Sequence, residues 1–143
     1  MPDTAAVSTA GSLAAVKEAL ERYLDVHVDD DGALSFQHAD VPGAVQAVEL
    51  AEGLVVLSLT CVVAWDLPAD TDICEQLALR AGQGLFGTLG AVRTEHGVDV
   101  TLRYAFPATG LGPVPLGTLL MLVISTASQL RGELLATYSK AGR

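Results

Sequence analysis

Gly82-Gln83-Gly84-Leu85-Phe86-Gly87 spells the G-x-G-x-x-G pattern by which dinucleotide-binding turns bring backbone N–H groups to a pyrophosphate. That chemistry needs a strand just before the first glycine and a helix opening at the last, so that phosphate meets the free N–H groups of a helix N-terminus. Here the order is inverted. A helical pattern runs up to Gly82, and a strand pattern begins soon after Gly87. The glycines are therefore expected to thin a helix where it crosses the sheet or another helix, with Gly87 or Gly90 as its C-cap. No nucleotide or other cofactor is implied.

Asp25, His27 and Asp29 alternate along a strand pattern, so all three side chains fall on one side and offer oxygen and imidazole ligands to a divalent cation, with Asp31 nearby. The EF-hand spacing fails, because His27 and His38 stand where Asp and Glu are needed if Gly32 is the central glycine. A solvated acidic turn is the alternative, and no metal site is assigned. Cys74 is placed near a helix N-terminus, where a thiolate is favoured, but Asp70, Asp72 and Glu75 oppose it. Cys61 reads as a buried strand residue. No G-x-S-x-G, H-E-x-x-H, C-x-x-C or P-loop string occurs, and the three histidines lie in or beside hairpins without a paired nucleophile. No catalytic residue is assigned, and the protein is expected not to be an enzyme.

Charge narrows the partners. Seventeen acids against eight bases give a net charge of −9, and residues 23–79 hold eleven acids with neither Lys nor Arg. Such a surface repels phosphate backbones, so no nucleic acid is expected. Half of the 143 residues are apolar and only 17% are charged, which describes one folded domain rather than a disordered chain. Met1 to Gly11 has no basic start and no apolar stretch of the kind that directs secretion, and the apolar run Leu119–Ile124 falls far short of the ~20 residues a membrane span needs. No membrane partner and a cytoplasmic location are expected. Scarce Lys beside abundant Ala, Gly, Leu and Val hints at a GC-rich bacterial genome.

The elements follow from periodicity. Leu13, Val16, Leu20 and Tyr23 recur at helical spacing after Ser12, a candidate N-cap. Asp31-Gly32 joins two strands, Val26 to Asp30 and Ala33 to Gln37, as a tight hairpin. After a turn at Asp40–Gly43, Val45 to Leu50 leads through Glu52-Gly53 into the long strand Leu54 to Leu67, whose inner face reads Val55, Leu57, Leu59, Cys61, Val63 and Trp65. Asp72 and Glu75 have capping-box spacing, and Ile73, Leu77, Ala81 and Leu85 form the inner stripe of the next helix. A hairpin then joins Ala91–Thr94 to Val98–Phe106, where a three-residue loop sets Val92 opposite Val100 and Arg93 opposite Asp99. The last helix runs from Leu116 to about Tyr138, with a stripe of Leu116, Leu120, Val123, Ala127, Leu130 and Leu134. The expected fold is α+β: a mainly antiparallel sheet with helices packed on it, in the order α-β-β-β(β)-α-β-β-α. The chain divides into a flexible N-terminus (1–11), a single domain (12–138) and a frayed tail (139–143).

That order, together with Phe86-Gly87, the hairpin ending Thr101-Leu102-Arg103-Tyr104-Ala105-Phe106-Pro107 and the Leu130-Arg131-Gly132-Glu133-Leu134 segment, resembles the YbjN family of the type III secretion chaperone-like fold. The resemblance implies a small, often dimeric protein that binds other polypeptides as a chaperone or adaptor, in some members with a regulatory role. The residues agree in one respect: Leu79, Phe86, Leu119, Leu122 and Ile124 lie outside the main stripes and form an apolar surplus, a candidate dimer or partner interface. Homodimerisation is its expected use. The reading from a different class is a small-molecule-binding regulatory domain or a weak enzyme.

Overall fold

In the computed structural model, residues 8–84 and 86–139 are described. The expected loose start falls outside them for residues 1–7, the expected frayed tail for residues 140–143, and Leu85 of the second-helix stripe also falls outside. Helix α1 (Thr9–Leu20) begins one turn earlier than expected, because Ser8 and not Ser12 is the cap: its Oγ accepts a 3.0 Å hydrogen bond from the Gly11 N–H. Val16, Ala19 and Leu20 are its buried face, and Tyr23 lies beyond its end, half exposed.

Six antiparallel strands follow: β1 (His27–Val28), β2 (Leu34–His38), β3 (Val41–Ala51), β4 (Leu54–Leu67), β5 (Thr88–Thr94) and β6 (Gly97–Pro107). They form one sheet in the order β1-β2-β3-β4-β6-β5. Helix α2 (Thr71–Ala81) connects β4 to β5, and helix α3 (Pro113–Leu134) closes the chain, running into a π-helical turn at Leu135–Ser139. This is the expected α+β class and order. The tight turn before β3 sits at Ala39-Asp40, both at positive φ, so Val41 to Gly43 belong to the strand and not to the turn.

Strand β4 spans Leu54–Leu67, as its periodicity predicts, and buries Val55, Leu57, Leu59, Cys61 and Val63. Trp65 departs from that face. The ladder to β6 shifts between Val62 and Ala64 and again between Ala64 and Leu67, and Asp66 takes a φ of 59°. Each irregularity changes which way the next side chain points, so Ala64 and Leu67 turn inward while Trp65 turns out. The buried side chains of β4, Val41 and Val45 of β3, and Val98, Val100, Leu102 and Phe106 of β6 share one core with α1, α2 and α3. The opposite face, with Ala44, Ser58, Thr60, Thr101 and Arg103, has no helix on it among the described residues.

The β5–β6 hairpin closes one residue tighter than expected. Thr94 pairs with Gly97 across Glu95-His96, which sets Val92 opposite Asp99 and Arg93 opposite Val98. Gly97 requires this: at φ 138° its backbone lies against the Leu67 carbonyl, leaving no space for a Cβ. In α3 the predicted stripe is buried throughout, from Leu116 to Leu134. By length and composition Pro113–Tyr138 would suffice to cross a membrane, yet here the stripe packs in the core.

Each fully buried Leu or Val contributes about 1.5–3 kcal/mol relative to exposure. Leu120→Ala should therefore lower unfolding free energy by about 2–5 kcal/mol in urea titrations. Leu122→Asp, on the outer side of the same helix, should change it by no more than about 0.5 kcal/mol.

Candidate functional site

The predicted interface residues separate into three situations. Leu79, Phe86 and Leu122 are exposed by 57, 49 and 43%. Leu119 is half-buried against the core. Ile124 is completely buried, and this removes it from the surface set: it stands one turn after Leu120, so it widens the inner stripe instead of opening a second one. Leu122 heads the α3 flank that continues through Thr126 and Gln129 to Glu133; the last three, with Arg80 and Gln83 of the α2 end, line a cleft of about 140 Å³.

Polar contacts between distant segments hold α2 beside the end of α3. The Arg80 guanidinium pairs with the Glu133 carboxylate, and the Tyr138 hydroxyl donates to Asp72 Oδ2 at 3.0 Å. Burial, then the hydrogen bond to Asp72 and its negative charge, push the Tyr138 phenol up to about 12. The cap of α2 is Asp70, whose Oδ1 accepts from the Ile73 N–H at 3.2 Å; Asp72, the expected cap, sits in the first turn and is free to hold Tyr138. Further along α3, Arg131 donates to the Val63 carbonyl at 3.2 Å and stacks over Trp65, with its guanidinium carbon 4.6 Å from the ring centre.

The glycines of the opening motif do not open a helix: α2 ends where they begin. Gly82 is the C-cap of α2 in a right-handed conformation, in place of the expected Gly87 or Gly90. Nor do Gly82 and Gly84 admit a crossing element: no atom approaches the Cβ direction of Gly84 within 4 Å, and Gly82 faces only its own helix. The close approach is at Gly87, where φ is 112° and a Cβ would meet Arg103 O at 3.0 Å as the chain enters β5.

Among the described residues no group of three or more His, Cys, Asp or Glu side chains stands together as a ligand set. Asp25 and Asp29 lie outside the two-residue β1, and Asp29 Oδ1 accepts from Ser35 Oγ at 3.0 Å. Both cysteines are free, Cys61 buried and Cys74 exposed. Burial pushes the Cys61 thiol up to about 12.

Two surface features escape the sequence reading. One is an open groove of about 460 Å³ between α1 and the first hairpin, with Ala10, Leu13 and Ala14 on one wall, Val28 and Leu34 on the other, Ala47 as well, and Lys17 and Asp31 also in its lining. The other is the tip of the β3–β4 hairpin, where Leu50 and Leu54 are exposed on either side of Glu52-Gly53. Two apolar residues flanking a turn are a legible signal for the second. The groove joins three segments distant in sequence and has none.

No family model matches the chain, and no curated protein matches it. A solved structure does: a chain of the crystal structure of the ExsC–ExsE complex is similar at a TM-score of 0.65 and 20% identity, over 88% of this chain and 95% of that one. The likeness is one of fold. ExsC–ExsE is a complex between two proteins, and that is a property of the neighbour.

Two measurements check the polar and thiol chemistry. A thiol reagent should label Cys74 within the mixing time of a benchtop assay and reach Cys61 only at the rate of global unfolding, since the attacking species is a thiolate. For Tyr138 the folded state favours the neutral phenol, so its stabilisation is complete below the unfolded value of about 10 and is lost as pH rises through about 12. Tyr138→Phe should cost ~1 kcal/mol at neutral pH and shallow the alkaline decline in stability, leaving the part due to Cys61.

Proposed function

We propose that this protein is a non-enzymatic binding module, a chaperone or adaptor of the secretion-chaperone-like type, that holds an extended segment of another polypeptide and acts as a homodimer. The observation that carries the reading is the α1–hairpin groove: an open apolar trough, beside an acid-rich hairpin, on a fold whose solved neighbour comes from a protein–protein complex. A trough lined by Leu13, Val28, Leu34 and Ala47 rewards apolar side chains by excluding water from them. The acids of the hairpin, Asp29, Asp30 and Asp31, belong to a stretch with neither Lys nor Arg, so a client segment that alternates apolar with basic residues fits both the floor and the rim. The YbjN resemblance and a regulatory role belong to the same proposal. So does a cytoplasmic place of action.

A labelled peptide of alternating Leu and Lys tests it by fluorescence anisotropy. Binding should weaken as salt rises, because the rim charge is exposed and screened. Ala14→Trp, at an exposed position of the groove wall, should weaken binding about tenfold, equivalent to ~1.4 kcal/mol, without altering thermal stability. Undiminished binding by Ala14→Trp would remove the groove from the proposal. A thermal-shift response to nucleotides or metabolites, with no response to peptides, would favour the small-molecule reading instead.

A further inference from the structure

The groove between α1 and the first hairpin does not end at β3. A second hollow of about 190 Å³ continues from it, sharing Leu13, Asp31 and Ala47 with the groove and adding Ala33, Gln46 and Val48. Successive side chains of a strand point to opposite faces of its sheet, so a hollow that touches both Ala47 and Val48 wraps around the edge of β3 instead of lying on one face. That edge is open for a reason of register. Strand β2 pairs with β3 only from Val41 to Val45, whereas β3 runs on to Ala51, and among the described residues no other segment makes a backbone hydrogen bond to it from that side. On the outer face beyond the edge, Val48, Val56 and Pro107 stand in one row across β3, β4 and β6, and Leu54 is exposed at the start of β4 next to that row. Leu50, at the bulge of the same hairpin, is exposed as well.

We infer that the client segment of the proposed function extends past the groove: its chain crosses the open edge of β3, and its next apolar side chain seats on Val48, Leu54 and Val56 at the outer face of the β3–β4 hairpin. This rests on the groove reading and gives the client a length and a second anchor. Continuity is the first argument, since Leu13, Asp31 and Ala47 belong to both hollows and lead from one to the other. Charge is the second. Glu49 and Glu52 are exposed beside the apolar row, Asp31 stands at the crossing, and the stretch that supplies all three has neither Lys nor Arg. Lys17, in the groove lining, is already paired with Glu21. Arg103 of the outer face lies opposite Thr60, about 13 Å along β6 from Pro107 and so beyond the Debye length at physiological salt. The basic residues that suit the groove rim therefore suit the hairpin tip. Reach is the third. The α1 wall from Thr9 to Lys17 is about 12 Å long, and β3 from Ala47 to Ala51 is about 13 Å. Each takes about four residues of extended chain, so a segment of about eight to ten residues fills both.

Fluorescence anisotropy with two peptides of alternating Leu and Lys, one of six residues and one of twelve, tests the inference. The double variant Val48→Ser, Leu54→Ser, at two exposed positions, should weaken binding of the twelve-residue peptide at least about tenfold and leave the six-residue peptide unchanged. Gln46→Trp, exposed at the crossing, should do the same by closing the passage without touching the hairpin tip. Ala14→Trp should weaken both peptides, because both need the groove. These outcomes separate the two readings. If the six-residue peptide binds wild type and loses affinity with Ala14→Trp, while the twelve-residue peptide binds the double variant and Gln46→Trp as tightly as wild type, the groove stands and its extension falls. Equal losses for both peptides in the double variant and in Gln46→Trp also overturn the extension, since the shorter probe does not reach the tip. If neither peptide binds wild type, the groove reading itself fails and the extension with it.

Discussion

Everything else in the molecule is arranged around the two-sided pairing of β4. Leu54 to Cys61 are paired with β3 along one side and Val56 to Leu67 with β6 along the other, and its inner row is the surface on which the helices pack. A strand buried in this way must alternate, and from Val55 to Val63 it does. The alternation is abandoned only at the end that delivers the chain to α2. There the bulges beside Ala64 and the positive φ of Asp66 turn Trp65 outward, where Arg131 covers it, and bring Leu67 back to the core. The Asp66 N–H, freed from the ladder, is held by Asp99 Oδ1 at 3.0 Å. Sheet, helix connection and surface aromatic are consequences of one strand running out of register in a controlled manner.

The core is apolar throughout, with no buried polar or charged side chain among the described residues. Such an interior stabilises through water exclusion and packing rather than through a polar network. Polar contacts are used instead at the seams: Arg80 with Glu133, Tyr138 with Asp72, Arg131 with the Val63 carbonyl. Each joins residues more than fifty positions apart, and each lies at the boundary of α2 or α3. The connecting helix is therefore fixed in place by specific partners as well as by the burial of Ile73 and Leu77.

What the sequence reveals here depends on how local the determining interaction is. The limits of β4, the inner row of β6 and the stripe of α3 are all set by periodicity, and each is legible. The β5–β6 register is not, because it turns on the approach of Gly97 to the Leu67 carbonyl, a contact thirty positions away in the chain. Asp70 and Asp72 are equally good caps by composition; Tyr138, from the far end of the chain, claims the second. Ile124 reads as surplus on a helical wheel drawn with one narrow stripe, and the sheet together with α1 proves wide enough to cover it. Of the residues the helical stripes leave over, Leu79, Phe86 and Leu122 stay exposed and Leu119 lies at the margin of the core. The groove lies wholly outside such reasoning, being formed by the angle between α1 and a hairpin that only the folded sheet brings together.

Strand order then decides how these surfaces can be used together. The groove is lined from β1, β2 and β3 and β5 is the strand at the other edge, so β4 and β6 stand between them. Occupation of one leaves the other accessible. An acidic hairpin at the groove and an acid-free segment at β5 divide the chain electrostatically along the same line, with Lys and Arg absent from residues 23–79 and acids absent from residues 76–94. The acidic hairpin and the acid-free segment thus occupy different parts of one sheet.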